Sequence, residues 1–302
     1  MLATVRIQHS LLFLLLFSSL SAGQTLQVTD AAGRSIHLER PAERIISLAP
    51  HLTENLFAIG AGEQLVGAVA FSDYPEAALN IPRVGQYNQF DAEAILALQP
   101  DLILAWHSGN PRAQVQRLKR LGLTVFYSES RTFEDIAEEL NTLGRLTGRV
   151  SEAAAAAAKI DNGINELQQS YTERQRLSVF YQVWDQPLMT INGEHLISQM
   201  LDLCGGDNLF AKSRSLTPRI DRESLLQANP QVILGGSQPP LDEEPDWLRA
   251  WRAFPQLQAV QHSTLYTVNS DWVTRPTLRA FKGAQAICQR LDEARAKLEL
   301  PE

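Results

Sequence analysis

The chain is poor in the residues that announce chemistry most directly. It has two cysteines and six histidines in 302 residues, and the histidines are scattered. It lacks the G-x-S-x-G turn of an activated serine, the H-E-x-x-H helix of a zinc hydrolase and the G-x-x-x-x-G-K-[ST] phosphate loop. The segment IGAGEQLVG holds glycines without the G-x-G-x-x-G spacing of a dinucleotide turn. No lysine or arginine run occurs, and 27 basic against 34 acidic side chains leave a net charge of −7, which argues against nucleic acid. Beyond the N-terminus no apolar stretch reaches the length of a membrane span. With 44% hydrophobic and 20% charged residues, the chain reads as globular, with one large domain or two ordinary ones.

What is present begins at the N-terminus. MLATVRIQHS carries one Lys/Arg-type charge, LLFLLLFSSL is an apolar run of signal-peptide length, and SAGQ supplies small residues. That is the layout of a cleaved export signal over residues 1–22, and no cysteine stands at the cleavage point to take a lipid. Outside the cytoplasm an even pair of cysteines favours a disulfide over a redox or metal site. Cys204 and Cys288 are therefore either bridged or two buried thiols that never meet.

The chain also repeats itself. FDAEAILALQPDLILAW (90–106) aligns without gaps to IDRESLLQANPQVILGG (220–236). Each reads as an aspartate N-cap, a short amphipathic helix, a proline break and an apolar strand. HLTENLFAIGAGEQLVG (51–67) aligns in the same way to HLISQMLDLCGGDNLFA (195–211), each a helix ending at a glycine of the C-cap type. Between the halves, Thr132 to Arg174 contains no proline and little β-branching. Ile160, Ile164, Leu167 and Tyr171 fall on one helical stripe, and Gly144 and Gly148 are expected to break the segment into two helices. The second of these, about 150–174, would be roughly 35 Å long.

The expected architecture is α/β: two similar lobes with parallel-type sheets, joined by a single long connecting helix, with a ligand cleft between them. Its parts are an export signal (1–22), an N-terminal hairpin about Ala32-Gly33 (23–43), an N-lobe (44–131), a connecting helical segment (132–175) and a C-lobe (176–302).

Ligands of open α/β sheets bind at the carboxyl ends of strands, so the loops there are the candidate site. They are rich in rings: Phe71 and Tyr74 in AFSDYPEA, Tyr87 in VGQYNQF, Trp106 in AWHSGN, Trp184 in YQVWDQP and Trp272 in YTVNSDWVTR. Taken together they read as walls of a cleft for a broad, partly apolar, amide-rich ligand. His107, beside Trp106, is a candidate metal ligand, whereas His51 and His195, at matched repeat positions near helix starts, read as structural. Glu93 and Glu223 are a matched pair in the first turns of helices. The helix dipole accounts for each, and as a pair they also offer two fixed charges to a two-fold partner bearing arginines.

Taken in order, SLAPHLTENLFAIGAGEQLVG, SDYP, LQPDLILAW, LCGGDNLF and NSDW resemble the helical-backbone (class III) substrate-binding proteins of ABC importers, whose cargoes are iron–siderophores, haem or cobalamin. The resemblance covers nearly the whole mature chain and is nearest to the cobalamin-binding members. It implies a periplasmic, monomeric, non-enzymatic receptor without cofactor or metal of its own, which binds cobalamin or a related corrinoid and passes it to an inner-membrane permease dimer. It implies that Phe71 (where a tyrosine is expected), Tyr87 (where a tryptophan is expected), Trp106 and the Asp271, Trp272, Val273, Thr274, Arg275 segment touch ligand, with Tyr74 and Trp184 as further contacts. Glu93 and Glu223 fall on the permease-docking glutamates, and Cys204 and Cys288 on the family's disulfide. Departures from the pattern are the tryptophan replaced near Thr217, the missing phenylalanine near Met189 or Thr190, and a hairpin before residue 44 more typical of siderophore binders.

Three alternatives compete. A haem or siderophore binder would show several basic loop residues, where mainly Arg275 and Arg214 are found. A metal-dependent enzyme would rely on His107 with Asp271. A signalling module would present its lobes to a sensor instead of a permease.

Overall fold

A computed structural model of the chain describes residues 26–238 and 244–300, so the expected export signal lies outside the described residues. Strands β1 (Leu26–Thr29) and β2 (Ser35–Leu38) form the antiparallel hairpin. Asp30 closes its turn by accepting from the amides of Ala32 and Arg34, at 3.0 and 2.9 Å.

Each lobe is a four-stranded parallel sheet. In the N-lobe β3 (Ile45–Ser47), β4 (Leu65–Ala68), β5 (Leu102–Trp106) and β6 (Val125–Ser128) lie in the order β4-β3-β5-β6. In the C-lobe β7 (Leu177–Gln182), β8 (Gly206–Asn208), β9 (Val232–Ser237) and β10 (Leu265–Asn269) lie in the order β8-β7-β9-β10. The strand order is the same in both, as the repeat requires. Continuous apolar runs such as Leu102–Ala105, all fully buried, suit strands covered on both faces. The hairpin turn protects the exposed edge of β6: the Ala31 amide donates to the Tyr127 carbonyl at 2.9 Å, and the Tyr127 amide donates to the Asp30 carboxylate at 3.3 Å.

The repeated helices form as their caps dictate. In α2 (Ala92–Ala97) Asp91 accepts from the amides of Glu93 and Ala94, and in α7 (Arg222–Ala228) Asp221 accepts from that of Ser224. Helices α1 (Pro50–Ala58) and α6 (Leu196–Leu203) each run into a left-handed glycine, Gly60 and Gly205, one position out of register with the ungapped alignment. Helix α3 (Arg112–Arg120) completes the N-lobe; α8 (Ser270–Thr274) and α9 (Ala280–Lys297) complete the C-lobe.

The connector is two helices, α4 (Phe133–Thr147) and α5 (Val150–Tyr171). Thr132 and Asp135 form a capping box at the start of α4, and Gly148 ends it with φ +74°. Gly144 does not break the segment, contrary to the sequence expectation. It sits inside α4, where a Cβ would overlap that of Ala153, so its role is close approach of α5. Helix α5 is about 33 Å long at 1.5 Å per residue, and buries Ile160 and Ile164 with Leu167 and Tyr171 partly covered. One continuous apolar core runs from the N-lobe through α4 and α5 into the C-lobe. The lobes are thus two sheets hung on a shared core.

Cys204, at the end of α6, is disulfide-bonded to Cys288 in α9. The bridge closes a loop of 84 residues. A Cys204→Ala/Cys288→Ala variant is expected to unfold at lower denaturant, by about 2–4 kcal/mol of stability. An unchanged midpoint in guanidinium titration would show that packing alone holds α6 on α9.

Candidate functional site

The N-lobe wall is built by loops leaving β4 and β5. Phe71 follows β4 with φ +63°, a backbone region uncommon for a bulky residue, and its ring is 69% exposed. Arg83 staples this loop by donating to the carbonyls of Ser72, Ala78 and Ile81. Trp106 ends β5 and is half-buried; its ring covers Gly109, where any Cβ would overlap it. Asn110 is the organiser here. Its carboxamide accepts from the Trp106 amide at 2.6 Å and donates to the carbonyls of Leu48 and Tyr87 at 2.9 and 2.7 Å. One buried side chain therefore sets both Trp106 and Tyr87, whose rings lie 6.4 Å apart. Asn110 was not legible as a site residue, because asparagine in HSGN looks like any turn residue.

The C-lobe wall comes from the ends of β7, β9 and β10. Trp184 is 60% exposed on a tight ladder pairing Trp184–Asp185 with Leu188–Met189, and its indole donates to the Gln186 carbonyl at 3.1 Å. With Trp247, Gly236 and Ser270 it lines a cavity of about 370 Å³. Trp247 was missed in the sequence because it lies outside the repeat and outside any strand-end motif. Of the Asp271–Arg275 segment, Asp271 and Trp272 are half-buried and Thr274 is exposed. Val273 is fully buried in the core, so its side chain is packing and only its backbone is available to a ligand.

Between the walls runs a polar floor that latches the lobes. Glu54 of α1, with a side chain 3% exposed, receives both arms of Arg279 at 2.7 and 2.6 Å and the Thr277 hydroxyl at 2.6 Å. Asn55 donates to the Pro276 carbonyl at 3.1 Å, across the same boundary. Arg275 pairs with Asp73 of the N-lobe at 2.8 Å and with Asp271 of its own lobe at 3.2 Å. The Arg279 guanidinium lies 3.9 Å from the centre of the Tyr74 ring. Behind Asn55, Glu139 is buried among Ser128, Ser130 and Asn55; burial raises its pKa, and those hydrogen bonds oppose the rise.

The two matched histidines diverge. His195 caps α6, accepting from the Ile197 amide at Nδ1, and burial lowers its pKa to about 4, with the Arg131 charge adding to the shift. His51 lies edge-on to Trp106 at 5.4 Å; burial, then the Arg275 charge, lower its pKa to about 3. His107 points its ring edge at Tyr127, beside the hairpin turn, while Asp271 is engaged by Arg275 on the cleft floor. The structure therefore does not bring His107 and Asp271 together as an enzyme would need. Among the described residues no cluster of three His, Cys, Asp or Glu could hold a metal ion. Glu93 and Glu223 are exposed in the first turns of α2 and α7, with no cation within ion-pair distance among the described residues.

Two parallel-sheet lobes, a stiff helical connector and a ring-lined cleft define a substrate-binding protein. The profile of the family described as periplasmic binding protein matches residues 45–272, and the chain belongs to that family. Among its relatives, the vitamin B12-binding protein of Vibrio cholerae is 38% identical over 251 residues, 83% of this chain and 90% of that protein. The vitamin B12-binding protein of Yersinia pestis is 38% identical over 252 residues, 83% and 86% of the two chains. The crystal structure of the periplasmic vitamin B12-binding protein BtuF of Vibrio cholerae matches with a TM-score of 0.77 at 37% identity, over 84% of this chain and 98% of that one. The periplasmic haem-binding protein RhuT from Roseiflexus, at 19% identity and a TM-score of 0.74, shares the fold.

Two measurements test this site. Arg279→Ala removes both charge-assisted bonds to buried Glu54 and leaves only Arg275, at 4.0 Å, as its counter-ion; it is expected to destabilise the protein by about 3 kcal/mol in urea unfolding, and a loss under about 0.5 kcal/mol would place the latch among ordinary surface pairs. Because His195 and His51 are held neutral, the unfolded chain binds more protons between the ordinary histidine range near 6.5 and about 4, so stability falls as pH falls through that window. Glu139 works in the opposite sense, since its raised pKa favours the folded chain on acidification. His195→Asn keeps the cap acceptor, so the drop in stability from pH 7 to pH 4 should shrink; an unaltered drop rules His195 out as a contributor.

Proposed function

We propose that this chain is the periplasmic receptor of an ABC importer for cobalamin or a related corrinoid. One observation carries the reading: exposed or half-buried rings stand near strand ends of both lobes, Phe71, Tyr74, Tyr87 and Trp106 on one and Trp184 and Trp247 on the other, while Arg275 and Arg279 at the lobe boundary already hold carboxylates. Such a cleft offers ring area and hydrogen-bonding edges, and little free positive charge. That suits a broad ligand fringed with amides better than the carboxylates of haem or an anionic siderophore. The vitamin B12-binding names of the relatives above support the same cargo.

In this reading residues 44–131 and 176–302 are the ligand-facing lobes, 132–175 is the connector that limits their motion, and residues 1–22 direct export. Arg275 and Asp271 border the ligand, and Trp272 to Thr274 contribute backbone edges. Glu93 and Glu223, one on each lobe at matched positions, dock on arginines of the two permease halves, where charge-assisted bonds fix register. Nothing in the proposed action requires a resident cofactor or a chemical step. The receptor acts as one copy, with its two lobes meeting the two-fold permease.

Titration of the mature chain with cyanocobalamin, by calorimetry and tryptophan quenching, is expected to show one-to-one binding that Trp106→Ala weakens about tenfold or more. Glu93→Lys/Glu223→Lys should abolish uptake in cells and leave that affinity intact. Binding of haem or ferrichrome in place of cobalamin would keep the transport role and replace the cargo. Loss of affinity in the charge-reversed variant would remove the docking assignment.

A further inference from the structure

Where the hairpin turn covers the β6 edge of the N-lobe sheet lies another cavity, of about 560 Å³, which transport as proposed above leaves unused. Three separate elements line it: the hairpin turn with Arg34, the ends of β5 and β6 with His107 and Tyr127, and α3 with Arg112, Gln116 and Lys119. The α3 residues stand at i, i+4 and i+7, so they share one face of that helix. In a chain of net charge −7 the cavity gathers Arg34, Arg112, Lys119 and a histidine, and of the three permanent cations only Arg34 is paired, with Asp30.

The arrangement is built rather than incidental. Arg34 is fixed: it pairs with Asp30, donates to the Val125 carbonyl at 3.2 Å and lies with its guanidinium 4.5 Å from the centre of the Tyr127 ring. His107 packs edge-on against the same ring at 5.3 Å. Arg34 and Arg112 both act on the Tyr127 phenol strongly enough to oppose the rise in pKa that burial imposes. The phenol hydroxyl has no hydrogen-bond partner among the described residues. Asp30, the carboxylate that faces this group, is already occupied by Arg34 and by the amides of Ala32, Arg34 and Tyr127. Arg112 and Lys119 have no ion-pair partner among the described residues. A solvated basic face would expose its cations to water from one convex surface; here they converge on a concavity from the hairpin and from α3.

We propose that this cavity binds a phosphate-bearing anion. Arg112 offers a planar donor fork, Lys119 a point charge, and Tyr127 and Gln116 neutral donors, while Arg34, held by Asp30, fixes the Tyr127 wall; the two unpaired cations match an oxyanion of charge near −2. The site is separate from the cleft and does not depend on which cargo the cleft takes. It also gives a role to the two sequence features that transport leaves unexplained, the N-terminal hairpin and His107. The phosphate is either free in solution or carried on a lipid headgroup.

The test uses the mature chain at low salt. Inorganic phosphate and pyrophosphate are titrated by calorimetry, and co-sedimentation is measured with vesicles of phosphatidylglycerol and of phosphatidylcholine. Saturable one-to-one binding is expected, weakened tenfold or more in Arg112→Glu/Lys119→Glu. Both positions are exposed, and circular dichroism confirms that the variant is folded. Binding of phosphate or pyrophosphate without the anionic vesicles assigns a soluble ligand; binding of phosphatidylglycerol vesicles alone assigns a membrane headgroup. Absence of both, or binding unchanged in the folded double variant, overturns the proposal.

Discussion

The geometry of the cleft depends on a buried ion pair between lobes. Glu54 and Arg279 meet in two parallel bonds, and Thr277 satisfies a further lone pair of the same carboxylate. Removing two charges from water is costly, and such a pair breaks even only when its geometry is good and its remaining hydrogen-bonding capacity is met. Here both conditions hold. Because Arg279 also faces the Tyr74 ring, the contact that sets the spacing of the lobes also sets part of one wall. The shared core through α4 and α5 resists separation of the lobes, and the latch fixes how they face one another.

The two lobes use the same repeat for different ends. Helix α1 turns a polar face, His51, Glu54 and Asn55, into a buried position at the lobe boundary. Its counterpart α6 is tethered to α9 by the disulfide, and its Gln199 accepts from the Phe133 amide and donates to Glu134 at the start of α4. The same repeat thus yields one helix that latches and one that anchors. The outward-facing parts stay alike: Glu93 and Glu223 occupy the same position in α2 and α7.

Much of the fold was legible because local signals agreed. Asp91 and Asp221 announce helix starts, Pro100 and Pro230 separate helix from strand, and the apolar runs that follow are too short for anything but buried strands. Gly144 misled because glycine's poor helix propensity is a local property, and tight packing of α5 outweighs it. Of the candidate site residues, Trp106 was legible in its position at a strand's end. Asn110 and Trp247 were not, since one is a loop residue whose bonds reach Leu48 and Tyr87 and the other sits in a short helix, Asp246–Arg249, outside the repeat. Val273 shows the converse: a motif marks a segment, and burial decides which of its side chains remain available.

The sequence by itself determined the two α/β lobes, the helical connector, the caps, and the rings at strand ends, because periodicity, capping and strand-end position are short-range properties. Only the tertiary structure decided which polar residues of α1 would be buried, which carboxylate would meet which arginine, and that the hairpin and α3 would enclose a basic cavity. Those outcomes pair residues such as Glu54 with Arg279 and Arg34 with Arg112, far apart along the chain, and no local pattern records a partner that arrives only when the lobes close on their common core.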